Sequence, residues 1–370
     1  MKKIGTITFH AAHNFGSVLQ AYALQTFVEK NIENIQYEII NFRTNLQKQF
    51  YSPLKKWNNP KNIIKNIMIV PFLKEYKIKY DKFEKFINDD LHITKKEYRN
   101  EEELKKSCNR YDYYISGSDQ IWNVRAHDFN NCYYLSFVES KNKIAYSPSF
   151  GPLKIDWNKY NKEQVSSYLN KYKSISVREF GSHENIVELI DKEVPILVDP
   201  TMLLTGEDWR KISSNMKLDF EYILLYCLEP SRKLINKVKE ISRKIKLPVV
   251  ITKYNNKYDY INPFIKIYSS GPKDFISLID NAKLIISTSF HGTVFSLLLH
   301  KPFFTIGCGS DRRIKNLLNM FNLMNRNLDL DNNDISFNNE IYDLDFSKFD
   351  RIISNERLKS RDFLLKALEE

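Results

Sequence analysis

The residue in this chain best suited to chemistry is His291, in the segment LIISTSFHGTVFSLLLHKPFFTI (284–306). An apolar strand-like run, Leu284–Ile286, ends in a polar turn, and Gly292 opens a helix-like run, Thr293–Leu299. His291 is therefore predicted between a strand's carboxyl end and a helix's amino end, where parallel sheets bind ligands and helices favour anions. Because imidazole transfers protons near neutral pH, we expect a general acid or base beside a bound anion. The alternative is a buried histidine satisfied by the backbone.

Arg178 is the first cation that could bind such an anion. It follows the strand-like run SISV (174–177), and its planar fork of donors suits a carboxylate or a phosphate. The alternative is a surface arginine paired with Glu179 or Glu184.

Further cations follow His291 in the segment GCGSDRRIKNLL (307–318). Two glycines free the backbone ahead of a helix predicted to start near Asp311, and Arg313 and Lys315 lie in its first turns. The spacing is not that of the six-residue dinucleotide fingerprint, because an arginine takes the place of its last glycine.

Strand-like and helix-like runs alternate along the chain, which predicts an α/β fold with parallel sheets. In a first block, the predicted strands cover residues 4–9, 37–42, 111–116, 143–146, 172–177 and 196–198, with a helix at 17–30. In a second block, which starts near Leu218, they cover 222–227, 248–252, 284–286 and 303–306, with helices at 230–246 and 272–279. Polar loops follow the strands of the first block, so we expect them to line one edge of its sheet.

The chain is long enough for two domains, since 370 residues exceed the roughly 100–200 of a usual domain. We predict a Rossmann-like domain over 1–210, with a helical insertion at about 50–107, and a second over 218–345. A helix within 350–370 is predicted to pack back on the first domain. Two doubly wound domains facing across a cleft form a GT-B-like fold, the architecture of many glycosyltransferases.

The insertion is rich in lysine, with nine Lys against three acids between residues 55 and 86. Ile, Phe and Tyr are interleaved as on amphipathic helices. We interpret the segment as a solvated helical insertion. The alternative is a patch that faces anionic lipid or glycan phosphate.

Composition narrows the class of protein. The formal net charge of +11 is compatible with nucleic acid, a membrane surface or an anionic substrate, but no nucleic-acid-binding motif supports the first. No apolar run approaches the roughly 20 residues of a membrane span, and the start MKKIGTITFH enters a strand directly. The four cysteines contain no C-x-x-C pair. We expect a cytoplasmic protein without a metal site, and consider a peripheral position at the inner membrane face.

Four segments, taken in order, resemble the polysaccharide pyruvyl transferase family. They are HAAHNFGSVLQAYALQ (10–25), YISGSDQIWN (114–123), SISVRE (174–179) with ILVDPTMLL (196–204), and STSFHGTVFSLLLHKPF (287–303). The resemblance runs from about Lys3 to about Leu323. It implies the GT-B fold and a transferase that moves the pyruvyl group of phosphoenolpyruvate onto two hydroxyls of a sugar. The product would be a pyruvate ketal in a cell-surface glycan or its lipid-linked precursor, with release of phosphate and no cofactor.

The resemblance also implies roles for particular residues. His291 matches the motif histidine, Arg178 a catalytic donor-binding arginine, and Arg313 a phosphate-contacting Lys or Arg. The remaining donor-side residues are Ser289, Gly292 and Lys315. The acceptor-side residues are Asn14, Gly16, Ser118, Asp119, Gln120 and Asn123. Asp119 could instead cap a helix, and the neighbouring Trp122 could stack on a sugar or fill the core.

Two positions depart from the family pattern. Several members carry an Arg where this chain has Ser289, and the frequent N-x-G-D motif ends here in Ser17 in place of Asp. The first change affects the donor side, where Arg313 or Lys315 could compensate. The second affects the acceptor side, where His10 and His13 become second candidates for an acid or base.

Two other functions fit the same fold. A nucleotide-sugar glycosyltransferase usually holds the ribose diol with a carboxylate, but residues 291–310 contain no Asp or Glu. That absence favours a small anionic donor. A non-catalytic glycan-binding relative would explain both departures, and would show no turnover.

Overall fold

The computed structural model describes residues 1–108, 110–252, 262–306, 309, 311–331 and 339–369. The chain divides into two compact units. Unit 1 comprises residues 1–51, 84–204 and 353–370, and unit 2 comprises residues 52–83 and 205–352.

Each unit contains a five-stranded parallel sheet. The strands are β1 Lys2–Ile7, β2 Ile35–Ile39, β3 Tyr113–Ser116, β4 Lys143–Ala145, β5 Ser174–Ile175, β6 Ile223–Tyr226, β7 Val249–Ile251, β8 Ile265–Lys266, β9 Leu284–Ser287 and β10 Phe303–Thr305. Their order is β2-β1-β3-β4-β5 in unit 1 and β10-β9-β6-β7-β8 in unit 2. In unit 1, Ile4 of β1 pairs with Tyr37 on one side and Tyr113 on the other. The prediction of two parallel α/β sheets is confirmed.

Helices connect the strands. They are α1 Phe15–Asn31, α2 Asn45–Tyr51, α3 Pro60–Ile69, α4 Leu73–Asp89, α5 Glu101–Ser107, α6 Lys162–Leu169, α7 Phe180–Ile190, α8 Gly206–Ile212, α9 Arg232–Ile245, α10 Pro272–Asn281, α11 Phe290–Leu298, α12 Arg312–Phe321 and α13 Ser347–Glu369. Because helices cover both faces of a parallel sheet, its central strands are apolar throughout. β3, β6 and β9 are accordingly buried at every residue.

The strand predicted at 196–198 is reduced to one bridge, between Val177 and Ile196. The strand predicted at 172–177 is only the two residues of β5. Both are at the edge of the sheet in unit 1, where β5 pairs only with β4.

The insertion is divided between the units. We predicted all of residues 50–107 within the N-terminal domain, but 52–83 belong to unit 2 and 84–107 to unit 1. The contacts of α4 explain the division. Lys79 Nζ donates to the Thr252 carbonyl at 2.9 Å, and Lys82 Nζ lies 2.7 Å from Asp274 Oδ2.

The C-terminal helix α13 belongs to unit 1 from Ile353 onward. Arg357 donates to the carbonyls of Met202 and Leu204, at 2.7 and 2.9 Å. Phe363 packs against Tyr146, with ring centroids 6.4 Å apart. These contacts hold the tail against the unit that contains the first sheet.

Candidate functional site

Arg178 lies just beyond β5 and is buried among carboxylates. Its Nη1 donates to Asp199 Oδ2 at 2.8 Å, its Nε donates to Glu179 Oε2 at 3.2 Å, and Nη1 lies 3.6 Å from Asp119 Oδ1. Only 1% of the Arg178 side chain is exposed. Burial by itself would lower the pKa of Arg178, but Glu179, Asp199 and Asp119 outweigh it and raise the pKa above its usual range. The pairing with Glu179 foreseen as an alternative is present, in the interior and not at the surface.

Further hydrogen bonds hold the carboxylates of this cluster in place. Asp199 Oδ1 accepts from the backbone N and the hydroxyl of Thr201, at 3.0 and 2.7 Å. Glu179 Oε1 accepts from Ser149 Oγ at 2.8 Å and from Ser182 Oγ. The guanidinium is thus part of a connected buried network.

Asp119 joins this cluster to the first helix of unit 1. Its Oδ2 accepts from Ser17 Oγ at 2.6 Å. Ser17 stands where the family frequently has an aspartate, and it thus contacts the carboxylate of Asp119, which follows β3. Asp119 has a φ of +72°, in the left-handed region that non-glycine residues rarely adopt. Ser118 Oγ donates to the Ser147 carbonyl at 2.7 Å. The residues that follow β1, β3, β4 and β5 therefore meet at one edge of the sheet.

The other predicted acceptor residues have local structural contacts. Asn14 caps α1 by accepting from Gly16 N at 3.0 Å. Asn123 Nδ2 donates to Gln120 Oε1 at 3.1 Å. Trp122 is fully buried and stacks on Tyr134 at 5.3 Å, so it fills the core, one of the two roles considered for it.

His10 and His13 differ in their surroundings. His10 is buried, with ring nitrogens 3.2 Å from the Thr8 carbonyl and 3.2 Å from Asn41 Oδ1. Burial lowers the pKa of His10 to about 4, which makes it a poor proton carrier at neutral pH. His13 Nε2 lies 2.7 Å from Glu84 Oε1.

Glu84 links His13 to a second cation. Arg43 donates to Glu84 Oε2 from Nη1 at 2.9 Å and to Oε1 from Nη2 at 2.5 Å. Burial alone would raise the pKa of Glu84, but the hydrogen bonds from His13 and Arg43 lower it to about 2. In many histidines that act as general bases, a carboxylate bonded to one ring nitrogen orients the imidazole. Glu84 is bonded to His13 in this way.

In unit 2, His291 lies in the first turn of α11. The helix begins at Phe290, three residues before the predicted start, with Ser289 at the N-cap. The His291 ring packs edge-on against Phe290, with centroids 5.3 Å apart, and the residue is 6% exposed. His291 thus lies between the carboxyl end of β9 and the amino end of α11, as predicted from the sequence. Its burial was part of the alternative interpretation.

Ser289 and Gly292 shape the turn that holds His291. Ser289 N donates to Ser287 Oγ at 3.0 Å, and Ser287 Oγ donates to the Ser289 carbonyl at 3.2 Å. A Cβ on Gly292 would lie 2.2 Å from Ser287 Oγ and 2.8 Å from Tyr226 Cδ1. Any larger residue at this position would require Ser287 or Tyr226 to shift.

Arg313 lies beside the same turn and is already paired. Asp311 Oδ1 accepts from Arg313 N and Nε, at 3.0 and 2.9 Å, and Oδ2 accepts from Nη2 at 2.5 Å. The guanidinium lies 6.0 Å from the centroid of Phe290. Lys315, two residues further along α12, is exposed.

The structure therefore brings Ser289, His291, Gly292 and Arg313 together around Phe290 in unit 2. It brings Ser118, Asp119 and Arg178 together in unit 1. Of the segment 307–318, residues 307, 308 and 310 lie outside the described residues. Asp199, Glu84 and Asp311 were not predicted from the sequence as partners of these cations. Asp311 could have been found, because an Asp before a helix caps it.

Among the described residues, no group of three His, Cys, Asp or Glu side chains is arranged to hold a metal ion. Within the same residues, every helix is too short or too polar to cross a bilayer.

Solved structures with this architecture are GT-B-type proteins. UDP-GlcNAc 2-epimerase from Methanocaldococcus jannaschii, in complex with UDP-GlcNAc and UDP, aligns with a TM-score of 0.53 at 12% identity, covering 99% of each chain. A putative UDP-N-acetylglucosamine 2-epimerase from Listeria monocytogenes aligns with a TM-score of 0.53 at 10% identity, covering 99% of this chain and 91% of its own. At these identities the likeness concerns the fold. The protein is an α/β protein of the GT-B type with two Rossmann-like halves.

The family follows from the sequence. The model of the polysaccharide pyruvyl transferase family matches residues 14–310, a span that includes the carboxyl ends of strands β2 to β10. The chain belongs to this family of transferases. A search of curated proteins found no match.

Proposed function

We propose that the protein transfers the pyruvyl group of phosphoenolpyruvate to a sugar of a cell-surface glycan or of its lipid-linked precursor. The observation that carries the proposal is the buried His291 at the amino end of α11, in a chain whose family is that of the polysaccharide pyruvyl transferases. Helix amino termini favour anions, and the donor carries a phosphate and a carboxylate.

We assign to His291 the transfer of a proton to the methylene carbon of the donor. A proton is added to the methylene carbon of the donor, one sugar hydroxyl attacks the neighbouring carbon, and a second hydroxyl displaces phosphate to close the ketal. The two hydroxyls lose two protons, of which one is balanced by the new methyl group and the other by the released phosphate. Imidazole is suited to such a transfer near neutral pH.

Arg313 supplies the cation that we assign to the phosphate. Its pairing with Asp311 fixes the guanidinium beside Phe290, in contact with the ring that packs on His291. Asp311 accepts three hydrogen bonds from Arg313, and this leaves it poorly suited to the ribose diol of a nucleotide sugar. Lys315 is exposed and is assigned a secondary role in attracting the donor.

On the acceptor side we propose Asn14, Gly16, Ser118, Asp119, Gln120 and Asn123 as hydroxyl-binding positions. His13, oriented by Glu84 at 2.7 Å, is the stronger base candidate of the two N-terminal histidines. Arg178 remains our proposed donor-binding arginine. Because three buried carboxylates lie beside its guanidinium, we expect a substitution of Arg178 to lower the free energy of unfolding as well.

The test compares His291→Asn with His300→Gln. His300 is a half-exposed histidine in the same unit, bonded to Asp350 at 2.9 Å, and serves as the matched control. Phosphate release from phosphoenolpyruvate is measured against a panel of free and lipid-linked glycans. We expect His291→Asn to lower turnover by about 10²–10⁴-fold with little change in donor affinity, and His300→Gln to behave as wild type.

Thermal melting of the same variants separates a chemical role from a structural one. If His291→Asn releases phosphate at the wild-type rate, the assignment of His291 is wrong. A variant that melts far below wild type and loses donor binding would show a structural histidine instead.

A further inference from the structure

The segment from Ser52 to Phe72 forms a defined surface element of unit 2, which we name the α3 hairpin. The loop before α3 is fixed by Asn66, whose Oδ1 accepts from Lys55 N at 2.8 Å and whose Nδ2 donates to the Lys55 carbonyl at 2.9 Å. Asn66 is itself buried. Asn59 caps the helix by accepting from Asn62 N at 2.9 Å.

The outer face of the α3 hairpin is apolar and open to solvent. Trp57 is 60% exposed, Ile64 58%, Ile67 60% and Val70 59%. Ile64, Ile67 and Val70 recur every three residues, so they line one side of the helix and of the turn that follows it. Scattered exposed apolar residues need no explanation, but four large ones on one short element indicate a docking surface.

The same element is uniformly basic. Its charged residues are Lys55, Lys56, Lys61 and Lys65, and no acid occurs between residues 52 and 72. Lys56, Lys61 and Lys65 are exposed, whereas Lys55 is half-buried and its Nζ donates to the Ser52 carbonyl at 3.2 Å. An apolar stripe flanked by lysines, without compensating acids, complements an anionic surface with an apolar interior.

Two lysines of α4 have a different role. Lys79 and Lys82 are bonded to Thr252 and Asp274 of unit 2. Phe72 packs edge-on against Tyr268, with centroids 5.2 Å apart. These contacts hold α4 against unit 2, so we place the membrane contact, considered as the alternative for residues 55–85, on the hairpin before α4.

We propose that the α3 hairpin docks on an anionic lipid bilayer, with Trp57, Ile64, Ile67 and Val70 inserted at the level of the headgroups. The exposed lysines Lys56, Lys61 and Lys65 then lie against anionic lipid phosphates. A second copy of the chain is a poorer occupant, because a symmetric contact would place the lysines of one hairpin against those of the other. The inference concerns where the enzyme works and holds whatever its donor is.

Trp57 provides a built-in reporter. Of the four tryptophans, Trp122, Trp157 and Trp209 are buried, at 0%, 4% and 0% exposure. A change in tryptophan emission on adding vesicles therefore reports on the hairpin. We expect a blue shift with vesicles of phosphatidylcholine and phosphatidylglycerol, none with phosphatidylcholine alone, and loss of the shift in Trp57→Phe with retained co-sedimentation.

Two sets of substitutions separate insertion from charge. Ile64→Ser with Ile67→Ser removes the apolar stripe, and we expect at least tenfold weaker co-sedimentation with anionic vesicles. Lys56→Gln, Lys61→Gln and Lys65→Gln together should weaken co-sedimentation to a similar extent and remove most of its dependence on salt.

Leu153→Ser with Leu358→Ser is the matched control for the first set, because both leucines are 54% exposed in unit 1. Exposed Lys154, Lys192 and Lys217 provide the control for the second.

Binding that survives the loss of Ile64 and Ile67 would overturn the proposal, as would unchanged emission of Trp57 with anionic vesicles at low salt. A blue shift that appears without vesicles as the protein concentration rises, together with a dimer in sedimentation, would assign the surface to a second copy of the chain. That result would also overturn the proposal.

Discussion

His10 gives the protein a stability that depends on pH near neutrality. Burial is the main reason why the pKa of His10 is lowered from its usual 6.5 to about 4. Between these values the unfolded chain binds a proton that the native residue does not, so the free energy of unfolding decreases as the pH falls through this window. A shift of this size corresponds to at most about 3 kcal/mol, all of it present above pH 6.5.

We expect His10→Gln to flatten the pH dependence of stability between pH 7 and 4.5. Urea unfolding at several pH values measures it. His127→Gln, at an exposed position, is the control and should retain the wild-type slope. Glu84, whose pKa is lowered from 4.5 to about 2, loses its contribution mainly below pH 4.5, and it is present in all three proteins. Equal slopes in wild type and His10→Gln would contradict the account.

At the scale of single residues, the sequence predicted positions better than partners. The place of Arg178 after a strand was correct, and its contact with Glu179 is the one considered as an alternative to binding an anion. Its contact with Asp199, 21 residues away, was not foreseen. Such partners depend on which strands are neighbours in the sheet, and local patterns carry no information on strand order. The pairing of His13 with Glu84, 71 residues away, was missed for the same reason.

Among the elements, the turn from β9 to α11 is the one on which the proposed chemistry most depends. Gly292 has no space for a Cβ beside Ser287 and Tyr226, whereas no atom of the described residues lies within 4 Å of a Cβ built on Gly309. Gly292→Ala should therefore lower the free energy of unfolding by about 1–3 kcal/mol through overpacking and displace His291.

Gly309→Ala is the matched control, and we expect it to change stability by no more than about 0.5 kcal/mol. Chemical denaturation and phosphate release on both variants test the pair. If Gly292→Ala is as stable and active as Gly309→Ala, the close packing of this turn has no functional importance.

The elements themselves were largely predictable. Buried parallel strands are continuous apolar runs, and the runs at 222–227, 284–286 and 303–306 all correspond to strands. The insertion was less predictable. Its helices were recognised, but the division at residue 83 depends on contacts made by Lys79 and Lys82 with residues far along the chain. A lysine that binds a carbonyl and one that remains in solvent look alike in sequence.

At the scale of the whole molecule, the ordered set of motifs predicted both the family and the fold. Each motif corresponds to the end of a strand in one of the two sheets, where α/β proteins bind ligands. The identity of the donor depends on a few side chains at those ends, and Ser289 stands where several relatives have an arginine. The fold alone does not decide between donors.

The most direct test of the central claim is calorimetric titration of the protein with phosphoenolpyruvate and, separately, with a UDP-sugar. We predict saturable binding of phosphoenolpyruvate that weakens at least tenfold in Arg313→Gln and is unchanged in Arg243→Gln, an exposed arginine on α9. We predict no saturable binding of the UDP-sugar. Saturable binding of the UDP-sugar with none of phosphoenolpyruvate would contradict the account and assign the protein to the nucleotide-sugar enzymes of the same fold.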